Sequence, residues 1–330
     1  MTSVSFLSTP EPDAQPRIQA DWLELAAFFS RNGAALLTEL VDQQDLDRDQ
    51  EPDDFGDLDV QFEDVTSQIL AEVDRRHRDL GEAYPFKLSE DGRALCLADP
   101  WNVGQAIYLF CLVLSHTPQS ELVPRKSAPL EDQLREARDL FQVCSTLAAA
   151  GFTRGPAFSV GWPRVDDSHF LGKLQQVWAV YGDGIPHDAP LPGTPPRHKD
   201  EEIDVISFWP ERDRLPGHGY LAGQVASGND WRTKSILPAL NRFKLWFKVQ
   251  PAAAAHPAIF IPFPIPDDSM SRDTLYYGYV AHRSRLPQLA GRAPALSQEG
   301  VAPIERLDEL GRIYDWLAQH RNRVLGSTGS

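Results

Sequence analysis

The chain has 330 residues, 42% of them hydrophobic, enough to bury a large core and to leave room for one sizeable domain plus an accessory region. Its formal charge of -15, from 47 Asp and Glu against 32 Lys and Arg, argues against an indiscriminate polyanion binder, because whole-surface repulsion opposes approach to phosphates. The longest apolar runs, Ala106 to Ser115 and Ala252 to Ile265, are too short or too broken by proline to cross a bilayer, so a cytoplasmic protein with no membrane partner is expected.

Residues 1–17 read as a loose tail, since MTSVSFLSTPEPDAQP has no basic start followed by an apolar run. Residues 18–125 read as a helical N-terminal region. Ile18 to Val41 carries Trp22, Leu25, Ala26, Phe29, Leu36, Leu37 and Leu40 at helical spacing, interrupted at Asn32 and Gly33, which predicts two helices. An acidic linker follows over 42–64, with eleven carboxylates between Asp42 and Asp64 against Arg48 alone. Asp45, Asp47 and Asp49 alternate as in a calcium loop, but Gln50 and Gly56 stand where such a loop needs glycine and glutamate. A solvated segment without tight metal binding is therefore expected. Val60 to Leu80 and Trp101 to Ser115 predict further helices, the second largely buried. Cys96, Cys111 and Cys144 lie far apart, two of them within apolar helical patterns, which speaks against a disulfide framework or a zinc knuckle.

Residues 126–290 read as the main domain, and 291–330 as a C-terminal linker and helix, the latter over Ile304 to Leu317. Leu130 to Ala150 is amphipathic, with Leu134, Ala137, Phe141, Cys144 and Leu147 along one stripe and Gly151 as its C-terminal cap. A proline- and glycine-rich loop from Gly182 to His198 leads to Ile203 to Trp209, β-branched and aromatic, which is expected to pair with Tyr220 to Ala226 as a hairpin. Phe141 and Leu147 should pack the preceding helix on that sheet. Trp231 to Val249 has a helical pattern that Pro238 must kink or divide, and Ala258 to Phe263 reads as another buried strand. The order of these elements is that of a mixed α/β (α+β) layer fold.

Phosphodiester hydrolysis needs a divalent ion to polarise the phosphate and activate water, and hard cations take oxygen ligands. Asp204 at the start of one strand and Gln224 on its partner could supply a carboxylate and an amide oxygen, with the Val225 carbonyl as a third donor. Taken alone, Asp204 reads as a solubilising residue at a strand edge. Gln224 is harder to set aside, because an amide in a short apolar strand needs internal partners or a ligand. Asp200, Glu201 and Glu202 read as a solvated turn, with Asp200 near enough to support the site. Ser227 and Gly228 read as the cap of a helix opening at Asn229, where a phosphate contact is the functional option. Beyond Asp230 the cations Arg232, Lys234, Arg242, Lys244 and Lys248 meet no acid before Asp267, a local basic patch. Trp231, Trp246 and Phe247 at this spacing suit core packing better than base stacking. The nine histidines, His198, His218 and His282 among them, show no paired metal-binding spacing, and no GxSxG or phosphate-binding GKS/T loop appears.

At KDEEIDVISFWP followed by LAGQVASGNDWRTK the sequence resembles the PD-(D/E)xK superfamily, more narrowly the Mrr-like restriction endonucleases in which Gln replaces the second-strand acid. The resemblance covers about half the chain. It implies a restriction-endonuclease-like mixed sheet flanked by helices, Mg or Mn held by Asp204, Gln224 and Val225, and DNA contacts from Ser227, Arg232, Arg242, Lys244 and Lys248. It also implies an endonuclease acting in bacterial restriction or anti-phage defence. A companion protein of a defence operon and a second copy of the chain are the candidate protein partners. Two departures stand out: the family's helix acid falls on Gln142 in DLFQ, and its lysine falls on Ala226, leaving Lys234 as the nearest replacement. A degenerate nuclease fold that binds nucleic acid or protein is the alternative, and an enzyme of another class in the N-terminal half is the third.

Overall fold

The computed structural model describes residues 6–40, 55–117, 120–162, 164, 168–193, 201–213, 215 and 217–327. In chain order it contains α1 (Pro16–Phe29), β1 (Ala34–Leu36), α2 (Phe55–Leu80), β2 (Phe86–Leu88), β3 (Ala94–Leu97), α3 (Val103–Ser115), α4 (Glu131–Thr153) and β4 (Ala157–Ser159). Then follow α5 (Phe170–Tyr181), β5 (Ile185–Pro186), β6 (Val205–Phe208), β7 (Tyr220–Val225), α6 (Ile236–Phe243), β8 (Phe247–Val249), β9 (Ala255–Phe260), α7 (Asp267–Tyr277), β10 (Tyr279–Ala281), α8 (Leu286–Ala290), α9 (Ala293–Gln298) and α10 (Leu310–Ser327). The result is a mixed α/β protein of two compact units, Met1–Arg135 with Ile313–Ser330, and Glu136–Arg312.

In the first unit α1 opens on Pro16, whose fixed φ and missing N–H suit a first helical turn. A capping box closes the start of α3, where Asn102 and Gln105 each accept from the other's backbone N–H at 2.9 Å. Ala106 to Leu114 of α3 are buried, as their apolar run predicts. Among the described residues no helix is long and apolar enough to cross a membrane. The helical reading of this region misses a small antiparallel sheet of order β1-β3-β2. Gly33, at φ 67°, turns the chain so that Ala34–Leu36 lies against Ala94–Cys96, where a second helix is expected from the spacing. Strands of three or four residues carry too little alternation to reveal themselves. Residues 42–54 of the expected acidic linker lie outside the described residues, and from Phe55 the chain is already helical.

This unit is also held by ions. Arg76 of α2 meets Asp21 at 2.7 Å, Glu24 at 2.9 Å and Glu72 at 2.8 Å. Tyr84 and Tyr108 donate their hydroxyls to the two oxygens of Glu24 at 2.6 and 2.8 Å, and His116 reaches the second oxygen of Asp21 at 2.8 Å. Glu24 is 0% and Asp21 1% exposed. Bringing two carboxylates out of water costs several kcal/mol each, about what their shared cation and hydrogen bonds must offset. Burial, and then Glu24 beside it, holds the Tyr84 hydroxyl well above its ordinary range, so it stays protonated as a donor.

The second unit is built on a five-stranded sheet of order β10-β9-β7-β6-β4. The expected hairpin forms, with register running from Val205↔Gly223 to Phe208↔Tyr220, and β4 adds antiparallel on its far side. β9 and β10 join in parallel, with α6 between β7 and β9 and α7 between β9 and β10. Alternation along β6 sorts the faces. Ser207 turns to α4, where its hydroxyl lies 2.6 Å from that of Thr153, whereas Ile206 and Phe208 join Phe170, Trp178, Ile236 and Phe243 in the apolar cluster under α5 and α6. Phe141 and Leu147 on α4 are fully buried, as their stripe predicts.

Several boundaries differ from the sequence reading. Gly151 is not a helix cap: α4 continues to Thr153, and a Cβ at Gly151 would overlap the Leu289 carbonyl, so close backbone approach is what requires glycine there. Trp231 to Val249 is not one kinked helix but two 3-10 turns around α6 and then β8. Ser235 caps α6, and Pro238 falls in its first turn, where no N–H is needed. The last helix starts at Leu310 rather than Ile304 because Ile304 bridges to Ala157 and the Glu305 N–H bonds the Ala157 carbonyl.

Replacing Arg76 by Met strands two buried carboxylates and should cost about 3–5 kcal/mol in urea unfolding. Arg75→Met, which removes only partly exposed pairs with Glu72 and Asp79, should cost about 1 kcal/mol or less. Equal losses would mean that the buried network carries no special weight.

Candidate functional site

Asp204 sits one residue ahead of β6, and its backbone is fixed from three sides. Its N–H bonds the Gly223 carbonyl at 2.8 Å. Its own carbonyl accepts from Val160 N–H at 2.8 Å, Gly161 N–H at 3.0 Å and the Gln142 side-chain amide at 2.6 Å. Two successive residues facing one carbonyl make a bulge-like irregularity at the end of the β4–β6 ladder, a device that re-aims a side chain. The carboxylate then turns across the strand end: Oδ2 accepts from the Val225 N–H at 2.8 Å. Oδ1 is packed over Gly161, where a Cβ would lie 2.6 Å away and leave no room.

That hydrogen bond seats the Asp204 carboxylate on the Gln224–Val225 peptide. The Ala226 N–H goes the other way, to Phe260 of β9, so by strand alternation the Val225 carbonyl shares the Asp204 side of β7. Gln224 is 7% exposed, and its Oε1 is buried without a hydrogen-bond partner. Its neighbours on the same face, Ala222 and Ala226, are fully buried members of two apolar clusters. An unpaired buried amide oxygen costs about 1–3 kcal/mol, and its presence between alanines is a feature to be explained.

The remaining candidates are more scattered. Lys234 lies between a 3-10 turn and α6, not on the first turns of a helix; it is half-buried and pairs with no carboxylate among the described residues. Ser227 and Gly228 cap no α-helix, since Asn229 and Asp230 lead into the short 3-10 turn Trp231–Thr233. Three of the cations are already engaged. Arg232 bonds Asp273 at 3.2 Å and lies 4.1 Å over the Trp231 ring, and Lys248 pairs with Asp188 at 2.7 Å, which holds that carboxyl below its ordinary range. Arg242 bonds Glu201 and Glu202, each at 3.0 Å, and the Glu201 hydrogen bond holds its guanidinium above the usual range. Lys244 is exposed and pairs with no carboxylate among the described residues. Asp200 lies outside the described residues. Among those described, no three His, Cys, Asp or Glu side chains converge as a metal-binding group.

Charge is divided unevenly between the units. Glu136–Arg312 holds nineteen Lys and Arg against twenty Asp and Glu, while the other unit holds thirteen against twenty-seven. The site therefore lies in a nearly neutral unit. Gln142 and Gly161 are the supporting residues that bear most directly on it. The first is marked in the sequence by its place in DLFQ; the second has no signal, because its need for glycine arises only when Asp204 is packed against it. The chain matches no family model, no curated protein and no solved structure.

Because Gln224 Oε1 is orphaned, Gln224→Leu should stabilise the metal-free protein by about 1 kcal/mol. Thermal melting without and with Mg or Mn checks this: the ions should raise the wild-type midpoint and leave that of the variant unmoved. A variant less stable than wild type in the absence of metal would show that the amide has a structural partner.

Proposed function

We propose that the Glu136–Arg312 unit is a divalent-cation-dependent DNA endonuclease of restriction-endonuclease-like fold, serving bacterial restriction or anti-phage defence. The reading is carried by one observation: the Asp204 carboxylate is seated on the peptide of Gln224, whose own side-chain oxygen is buried and unpartnered. The mixed sheet, three antiparallel strands and then parallel ones with helices α4 and α6 in the same unit, is consistent with the mixed sheet flanked by helices that the resemblance implies and supports it.

The donor set suits Mg or Mn, which take hard oxygen ligands and tolerate few protein groups beside water. The Asp204 carboxylate, Gln224 Oε1 and the Val225 carbonyl would hold the ion. When bound it would polarise the scissile phosphate and lower the pKa of water. Asp204 supplies the full negative charge of the set. The Val225 N–H seats the carboxylate through Oδ2, and Gln142 fixes the Asp204 backbone behind it. Lys234, unpaired with any carboxylate among the described residues, is an available cation to meet developing charge. Among the lysines and arginines of the predicted phosphate contacts, Lys244 is the one that pairs with no carboxylate among the described residues.

A second reading is favoured by Ala226, which is fully buried where the family's lysine would stand. On that reading the unit binds DNA or a partner protein without cleaving.

Plasmid cleavage by the purified chain separates the two. With Mg or Mn the wild type should nick or linearise DNA, Asp204→Ala should lower the rate by about a hundredfold or more, and Gln224→Glu should remain active with an altered metal preference. Lys234→Ala should lower turnover with little effect on DNA affinity. No cleavage of DNA or RNA by wild type in either metal, with binding intact, would leave the binding module.

A further inference from the structure

Two residues before Asp204 the backbone is left-handed at two successive non-glycine positions, Glu201 at φ 51° and Glu202 at φ 65°. Such a conformation is costly for glutamate and persists only where surrounding contacts enforce it. Contacts from α6 and the turn after it bear on both residues. Arg242 spends its guanidinium on both side chains, Nε to Glu201 Oε2 and Nη2 to Glu202 Oε2, each at 3.0 Å. The indole N–H of Trp246 takes the other oxygen of Glu201 at 3.0 Å. Glu201 is largely buried and Trp246 belongs to the apolar cluster under the sheet, so one end of this clamp is anchored in the core.

The clamp acts on a short lever. From Glu202 the chain passes through Ile203, fully buried in the same cluster, directly into Asp204. Asp204 must arrive with its carboxylate on the Val225 N–H and over Gly161, a position with no slack on the glycine side. We propose that Arg242 is a positioning residue: by holding Glu201 and Glu202 in the left-handed turn it sets the carboxylate of Asp204 on the Gln224–Val225 peptide. This assigns to Arg242 an internal task in place of the phosphate contact that its place in a basic run implies. It deepens the nuclease reading and rests on that reading for its effect on cleavage, but not for its effect on Asp204.

The Val225 amide proton is the reporter, because its hydrogen bond to Asp204 Oδ2 exists only while the carboxylate is seated. In the full-length protein, Arg242→Gln should raise the Val225 exchange rate at least tenfold, with melting temperature and exchange in the centre of β7 unchanged. Arg242→Lys, which cannot fork to two carboxylates, should fall between. Adding Glu202→Asn to Arg242→Gln should restore protection, since asparagine favours the left-handed region and removes the repulsion between the two acids. Lys248→Gln, which breaks the surface pair with Asp188, should leave Val225 unaffected. If the wild type cleaves plasmid DNA, Arg242→Gln should lower kcat about tenfold, with DNA affinity and its salt dependence unchanged.

Unaltered Val225 exchange in Arg242→Gln and Arg242→Lys would overturn the proposal. So would a loss of DNA affinity with a shallower salt dependence, the signature of a lost phosphate contact. A wild type that cleaves nothing would count against the nuclease reading, while the exchange data would still decide the clamp.

Discussion

The carbonyl of Asp204 is the point on which the second unit's site turns. It gathers the Val160 and Gly161 N–H groups and the Gln142 amide, so β4, the bulge after it and α4 all converge on one oxygen. A carbonyl has two lone pairs, and three donors arranged around it leave the residue almost no freedom. That fixation and the left-handed turn held at Glu201 and Glu202 act together on the direction of the carboxylate, its bond to Val225 and its close approach over Gly161. The β6–β7 hairpin gives the frame, and the donors from α4 and the segment after β4 hold the Asp204 backbone in it.

The two units solve the problem of charge differently. The first buries acids around a single guanidinium and saturates their oxygens with tyrosines and a histidine, a closed network with no free valence at Glu24 or Asp21. The second keeps most of its ion pairs at the surface, and beside its Asp204 carboxylate stands Gln224, whose buried Oε1 is unsatisfied. Closed networks specify structure, whereas an open valence next to a carboxylate is the ordinary mark of a place that takes a ligand. That contrast is why Asp21, Glu24 and Arg76, although more numerous and better paired, are read as core.

Long periodic segments were legible from the sequence, and short or tertiary features were not. α2, α3 and α4 show in their apolar spacing, and β6 with β7 shows in β-branched and aromatic runs. β1 to β3 are three or four residues each, too short for alternation to register, and Trp231 to Val249 mixes turns, helix and strand under one deceptive spacing. Asp204 and Gln224 could be chosen from residue type and position, because a carboxylate at a strand start and an amide in an apolar strand are both out of place chemically. The basic run is legible in the sequence but its pairing is not: the acids that meet Arg242, Lys248 and Arg232 are Glu201, Glu202, Asp188 and Asp273, each distant along the chain. Pairing across tens of residues has no local signature.

The packing of Asp204 over Gly161 also leaves a mark on how such a chain can drift. While the carboxylate stands there, a Cβ at 161 would push Asp204 Oδ1 from its seat, so the glycine survives as a dependent of the aspartate. Once a lineage loses the aspartate, the block is lifted and 161 is free to fill. A larger residue at that position in a descendant would then be a fossil of the lost acid, recording the order in which the two changes came.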